Sequence, residues 1–432
     1  MIRAVLTAAL LALAALPARA IDIRETTSPG GIRAWLVEDH SIPFTALSLV
    51  FRGGASVDAP GQRGAVNLMT GLLEEGAAGR EATAFTEAVE ATGATFRFDA
   101  GDDAVTVGAR LLTETRDEAA GLLADALAAP RFDGDAVARV RGQVEAIIRS
   151  EDTDPRAIAQ KAMARAVWGE HPYGSSVNGT LDSVAGLTAD DLRAAKDRVL
   201  ARDRVLVAAA GDITAEELGV LVDRILGGLP AAATAPLPPK IEPAPGGGVE
   251  VIDWQSPQTV VAFAQPGLAM DDPDFFAAFV ANYILGGGGF SSRLTDELRE
   301  KRGLTYGIGT GLATGLFGDL WAGGFASAND KVAEAVGLVR EEWARMAEGV
   351  SERELQDAKT YLTGEYPLRF DGNVKIAGIL SGMQLMGLPA DYVNTRNARI
   401  EAVTAEDVQR VVRRLLDPGA LRFVLVGRPT GL

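Results

Sequence analysis

The chain has no cysteine. Disulfides, thiolate metal sites, a thiol nucleophile and a cysteine-borne lipid anchor are all excluded. Histidine is nearly absent: His40 and His171 are the only two, far apart and each without a partner at ligand spacing. A serine triad needs an imidazole base, and neither histidine has a Gly-x-Ser-x-Gly companion. His40 falls in the turn 39–43, where a solvated loop residue is expected. Positive charge is also short, with 42 Lys and Arg against 58 Asp and Glu. That balance argues against nucleic acid or anionic lipid as a partner. Phosphate-loop chemistry is missing too. Gly286–Gly289 lacks the Gly-Lys-Ser/Thr ending, and Gly307, Gly309 and Gly311 do not stand at dinucleotide spacing. The neighbouring carboxylates Asp102 and Asp103 fall at a hairpin tip, where solvated turn residues are expected.

Beyond the first twenty residues no apolar run approaches the roughly 20 residues that cross a bilayer. The first twenty read differently. Arg3, the Ala/Leu run 4–16 and the ending Pro17-Ala-Arg-Ala20 have the form of a secretory signal peptide cut near Ala20, which implies a periplasmic or secreted protein without a membrane anchor. Removal of Arg3 and Arg19 takes the formal charge from −16 to −18.

The remaining chain is long enough for two domains, and it shows an internal duplication. The segment 187–200 opens with Thr188 before Asp190 and Asp191, carries an apolar stripe and leads into the β-branched run 205–210. The segment 403–416 repeats the design with Thr404, Glu406 and Asp407 ahead of the run 421–426. Between the copies, 229–248 is rich in Ala, Pro and Gly and reads as a semi-extended linker. The expected division is therefore a signal peptide over 1–20, a first half over 21–228, the linker over 229–248 and a second half over 249–432. Strands are expected at 34–38, 45–52, 95–99 and 104–111, with helices at 64–74, 84–92, 116–128, 135–150, 156–168 and 188–201. The second half repeats the order with strands at 249–253, 259–264, 304–311 and 320–326 and a helix at 274–285. This pattern specifies an α+β fold of two homologous halves, each a mostly antiparallel sheet covered by helices.

The stretch 285–306 says most about function. Gly286, Gly287, Gly288 and Gly289 predict a loop, followed by a helix that Ser291 or Ser292 caps. Leu294 and Leu298 form its buried stripe, and Asp296, Glu297, Glu300 and Lys301 are expected to face water. Gly303 stops it ahead of a strand. Arg299 and Tyr306 are thereby placed to point a fixed cation and a phenol donor into one space, and both can donate to a carbonyl oxygen that gathers charge.

The pattern Leu-Gly-Gly-Gly-x-Ser-Ser-Arg-Leu, then Leu-Arg-Glu, then Gly-Leu-x-Tyr resembles the second-half signature of the insulinase or pitrilysin type of metallopeptidase. The resemblance implies two halves facing one another across a chamber. It also implies that Arg299 and Tyr306 act on substrate opposite a zinc site, with Gly286–Gly289, Phe290 and Ser291 as a flexible substrate-binding rim. The family's zinc motif is His-x-x-Glu-His, which sets two imidazoles on one helix face with a Glu base between them. The matching places here hold Asn67, Thr70 and Gly71. Glu145 or Glu151, where the family carries a third ligand, becomes an ordinary helix carboxylate, and His171 matches a segment that packs behind the site. The resemblance thus implies a metal-free subunit with no cofactor of its own. It would pair with a zinc-bearing paralogue that has His-x-x-Glu-His and act on unfolded peptide, with a homodimer open to it when that partner is missing. Two other readings stay open: a stand-alone peptide-binding or scaffold protein, and a zinc peptidase with non-standard ligands.

Overall fold

A computed structural model describes residues 21–432; the expected signal peptide lies outside them. The first half opens with β1 (Arg24–Thr27), β2 (Arg33–Glu38) and β3 (Phe44–Arg52). A short ribbon of β4 (Gly76–Ala77) and β5 (Arg80–Glu81) precedes the hairpin of β6 (Thr95–Ala100) and β7 (Ala104–Leu112), and β8 (Val205–Gly211) closes the half. The sheet order is β1-β2-β8-β3-β7-β6. The second half has β9 (Gly248–Asp253), β10 (Gln258–Pro266), β11 (Thr305–Thr314), β12 (Asp319–Ala328) and β13 (Arg422–Gly427), in the order β11-β12-β10-β13-β9. Read outward from β2 and from β9, the two orders coincide. Each sheet has one parallel pair, β2 with β8 and β9 with β13, and its other pairs are antiparallel. The duplication in the sequence is thus a duplication of sheet topology. Its two marker helices, Ala189–Val199 and Ala405–Leu415, both start with a reciprocal Thr–Asp capping box.

Alternation along the strands gives each sheet two apolar faces. Leu47, Leu49 and Phe51 of β3 and Val207 and Ala209 of β8 turn to the core that the first half's own helices cover. Ala46, Ala208 and Ala210 turn the other way, and their small side chains let a helix approach closely. That helix, Asn373–Leu385, comes from the second half and presses Ala377, Leu380 and Met383 onto the first sheet. Ser48 and Ser381 share a hydrogen bond of 2.8 Å, and Gln384 Nε2 donates to Val207 O at 2.9 Å. The reverse also holds. Helix Pro155–Trp168 of the first half lays Ala159, Met163 and Val167 on Ala264, Val424 and Val426 of the second sheet. Each half thus lends a helix to the other's sheet. Full burial of one Leu, Met or Val contributes about 1.5–3 kcal/mol, so the exchange binds the halves more firmly than the extended segment 229–248 joining them.

The signature stretch departs from expectation. Four glycines were expected to break the helix; instead helix Phe275–Asn282 runs on through a π turn, Tyr283–Gly287. Gly286 and Gly287 are there for closeness: a Cβ on Gly286 would stand 2.5 Å from Thr310 Oγ1, and one on Gly287 2.6 Å from Asn282 Nδ2. After Gly289–Ser291, a second π turn, Asp296–Glu300, continues the short helix Arg293–Thr295. Ser292 is its N-cap, but the hydroxyl donates to Gly289 O at 2.8 Å and makes no side-chain capping bond. Leu294 and Leu298 are fully buried, and Gly303 ends the element at φ 59°. Glu297 does not face water. Buried, it pairs with Lys301 and Arg302 at 2.6 Å each, which holds its carboxyl below the usual range.

Candidate functional site

The places that would hold a metal sit on helix Ala65–Thr70. The chain enters it at Gly64, φ 98°, and the Asp58 carboxylate accepts from Gly64 N at 2.9 Å and Val66 N at 2.8 Å. None of the three positions offers a free ligand. Asn67 Nδ2 donates to Asn178 Oδ1 at 2.9 Å, and the Asn178 amide donates to Glu151 Oε1 at 2.5 Å. Thr70 is buried and its hydroxyl donates to Val66 O at 2.8 Å. Gly71 is exposed and offers no side chain; a Cβ there would meet Val140 Cγ1 at 3.2 Å. Glu145 is tied to Arg149 at 2.9 Å and Glu151 to Lys161 at 3.0 Å. Among the described residues no three His, Cys, Asp or Glu side chains come together as a metal would need. This donor set does not fit zinc.

The histidines lie elsewhere. His40 is exposed but not simply solvated, because Asp212 at 2.6 Å and Glu38 at 3.0 Å hold it, and these bonds raise its pKa. His171 packs among the rings of Trp168, Tyr173 and Phe317, and burial lowers its pKa.

Asp102 and Asp103 correct a second expectation: they are structural junctions and not free turn residues. Arg63, only 15% exposed at its side chain, bonds Asp102 at 2.6 Å and stands 3.6 Å from Asp58. Burial pushes the Asp58 carboxyl up to about 6 against the pull of its two N–H donors and Arg63. Asp103 accepts from the Tyr173 hydroxyl and from Leu316 N, and Phe317 N donates to Tyr173 Oη at 3.1 Å. Leu316 and Phe317 lie in the β11–β12 turn, so this network clasps the hairpin tips of the two halves together. Nothing local in the sequence signals it, since Asp103 and Leu316 are 213 positions apart.

Arg299 and Tyr306 do come together. The π turn carries Arg299 over the Phe290 ring, 4.4 Å from its centroid, with Glu300 at 3.4 Å from Nε. Tyr306 follows Thr305 at the start of β11, where the register with β12 shifts between Thr305 and Ile308, and its side chain is 87% exposed. Both line a cleft of 490 Å³ with Gln258, Gly303 and Lys331. At Gln258, Thr305 and Tyr306 this cleft opens into a longer trough of 830 Å³ between the lent helix Pro155–Trp168 and the second sheet. At Trp168 and Leu320 the trough in turn meets a cavity of 580 Å³ between the two hairpin tips. Gly286, Gly287 and Gly288 do not form a loose rim: the first two pack as described, and a Cβ on Gly288 would strike Tyr283 O at 2.8 Å. Gly289 (φ 55°), Phe290 and Ser291 are exposed or open. Lys331 and Gln258 escaped sequence reasoning because they reach the cleft from β10 and from the entry to helix Val332–Met346.

Two sequence profiles match the chain: "Insulinase (Peptidase family M16)" over residues 33–181 and "Peptidase M16 inactive domain" over 186–362. The chain belongs to the M16 family. Among its M16 relatives is a protein of Helicobacter pylori described as a non-peptidase homolog, 24% identical over 90% of each chain. An uncharacterized zinc protease of Streptomyces coelicolor is 29% identical, covering 91% of this chain and 87% of its own. The crystal structure of a peptidase M16 inactive domain from Pseudomonas fluorescens superposes with a TM-score of 0.88 at 29% identity, over 95% of this chain and 99% of that one. Relatives thus carry names of both kinds. With Asn67, Thr70 and Gly71, none of them a zinc ligand, at the motif positions, this M16 chain stands with the inactive homologues, which fits a non-catalytic role. Among the described residues no helix is long and apolar enough to cross a membrane.

Proposed function

We propose that this chain is the metal-free subunit of a periplasmic M16-type zinc peptidase, secreted through the signal peptide at its start. It pairs with a zinc-bearing paralogue, helps close over an unfolded peptide, and supplies Arg299 and Tyr306 to the peptide carbonyl. One observation carries this reading: the motif positions supply no metal ligands, Asn67 and Thr70 being hydrogen-bonded elsewhere and Gly71 having no side chain, whereas Arg299 and Tyr306 share an open cleft. A donor pair kept accessible suits a chain that acts on a bond cut by another subunit's metal. β11, at the free edge of its sheet, suits an extended peptide added as a further strand.

The test is reconstitution. The purified chain with added zinc should hydrolyse no peptide; co-expressed with a paralogue bearing His-x-x-Glu-His, it should raise that paralogue's turnover. Arg299→Ala or Tyr306→Phe should then lower the activity of the mixture roughly a hundredfold, the effect of removing an oxyanion donor. Chelator-sensitive cleavage by the chain alone, or unchanged turnover in both variants, defeats the reading.

A further inference from the structure

The charges lining the connected clefts run against those of the protein as a whole. In a chain with formal charge −16, the cleft at Tyr306 and the trough beside it contain Arg156, Arg299 and Lys331 against the single carboxylate Glu300. Glu300 lies 3.4 Å from Arg299, so that pair is internally balanced. Arg156 and Lys331 are exposed, and neither has a carboxylate within ion-pairing distance among the described residues. At the opposite end, the cavity between the hairpin tips is lined by Asp99, Asp102 and Asp103; Arg97 pairs with Asp99 and Arg63 with Asp102, each at 2.6 Å, which leaves Asp103 without a cation. The trough joining the two ends has almost no charge. Its floor is made of small residues, with Ala322, Gly324 and Ala326 of β12 in the lining, and its wall is Met163, Val167 and Trp168 of the lent helix.

We infer that this groove selects and orients its peptide by charge: it takes an extended segment that places an acidic side chain beside Lys331 and runs small or apolar residues along the trough. The inference rests on the peptide-binding reading above, with the peptide passing from the Tyr306 cleft over the face of β12 rather than along the β11 edge, and adds to it a substrate class and a direction. A floor of glycine and alanine leaves room for a main chain and short side chains but supplies few polar partners, so the trough discriminates by size and apolarity. Direction comes from the ends. An acidic side chain meets the unpaired Lys331 near Tyr306, whereas in the reversed peptide it meets Asp103 near Tyr173, the one carboxylate of that cavity without a cation, and like-charge juxtaposition in a partly desolvated site is costly. A basic segment is disfavoured at the Tyr306 end for the same reason. The acidic group belongs to an internal residue and not to a chain terminus, because a peptide held across Arg299 and Tyr306 for cleavage continues past both.

Fluorescence anisotropy of the whole chain with labelled decapeptides tests this. The probes are an N-acetylated, C-amidated Ala/Val/Gly peptide with one glutamate near one end, its glutamine and lysine counterparts, and the glutamine peptide with a free carboxylate. The glutamate peptide should bind about tenfold more tightly than the glutamine one, the size of one partly exposed charge-assisted contact, and the gap should close as salt is raised. The lysine peptide should bind most weakly. Lys331→Gln should narrow the gap and Lys331→Glu should reverse it in favour of lysine; Lys331 is exposed, and circular dichroism is the check that the variants are folded. Equal binding of the glutamate and glutamine peptides overturns the charge selection while leaving peptide binding intact. If the free-carboxylate peptide matches the glutamate one, the anion is a chain terminus and the internal assignment falls. Failure of every probe to bind removes the peptide-binding reading itself.

Discussion

Replacing Gly286 with alanine tests whether the glycine run serves packing or flexibility. The added Cβ would lie 2.5 Å from Thr310 Oγ1, 2.8 Å from Thr310 Cγ2 and 3.1 Å from Leu294 Cδ1. Leu294 is fully buried, and Thr310 cannot rotate freely because its hydroxyl donates to Asn282 Oδ1 at 2.8 Å. Overpacking of this kind costs about 1–3 kcal/mol, and loss of the Thr310–Asn282 bond about 1 kcal/mol more. Alanine recovers about 0.5–1 kcal/mol over glycine in a helical turn. The net expectation is a loss of about 2 kcal/mol. Gly289→Ala is the control: nothing lies within 4 Å of its Cβ, and only the positive φ of 55° opposes it, at about 1–2 kcal/mol. Urea unfolding followed by tryptophan fluorescence reads the result, since Trp321 and Trp343 are both fully buried in the second half's core. Gly286→Ala should shift the transition to lower urea at least as far as Gly289→Ala. If Gly286→Ala unfolds like the parent while Gly289→Ala does not, the π turn is not held by close contact and the flexible-rim reading returns.

Other outcomes follow from single contacts. Glu354 accepts from Arg293 Nε at 2.6 Å and Nη2 at 3.0 Å, and this ion pair holds its carboxyl down to about 2. A depressed carboxyl contributes stability above its unfolded pKa and loses it as pH falls. The parent's advantage over Glu354→Gln, about 1–2 kcal/mol after allowance for a side chain 32% exposed, should therefore vanish between pH 4.5 and 2; a pH-independent difference in melting temperature refutes it. Asp58 has the opposite sign. With its carboxyl pushed up to about 6, the folded chain binds the proton that the unfolded chain has released, so stability falls by up to about 3 kcal/mol as pH rises from 4 to 6. Melting curves of the parent minus Asp58→Asn should show that slope, and a flat difference contradicts it. Leu380→Ala, at a fully buried site on the lent helix, should cost about 2–5 kcal/mol. Hydrogen exchange should then speed up in β3 and β8 of the first sheet, and protection lost only in the second sheet would count against the exchange of helices.

What could be read along the chain was what neighbouring residues determine. Thr188 and Thr404 cap their helices through Asp191 and Asp407 three positions on, so both copies of the closing motif were visible. The hairpin around Gly101 and the apolar runs of β3 and β10 were equally local. The lent helices were placed along the chain but not in space: the apolar stripe of Pro155–Trp168 states that it buries a face, not which sheet receives it. Glu297 was misplaced because the arginines that draw it inward come from its own turn and from Arg345, beyond a strand pair. The first π turn was not legible because a run of glycines predicts a break, and Gly286 meets Thr310 only after β11 has folded back. At the site, Arg299 and Tyr306 stood out through their spacing; Lys331 had no such frame.

The reciprocal loan of helices bears on how such a protein can be divided. A protease that nicks the Pro-rich stretch near Pro239 would release neither fragment, because each still holds a piece of its sister's interior. A gene split at that point should yield two polypeptides that stay insoluble apart and recover when made together. The chain has the outline of two repeats, each with its own core, joined by the helices they exchange.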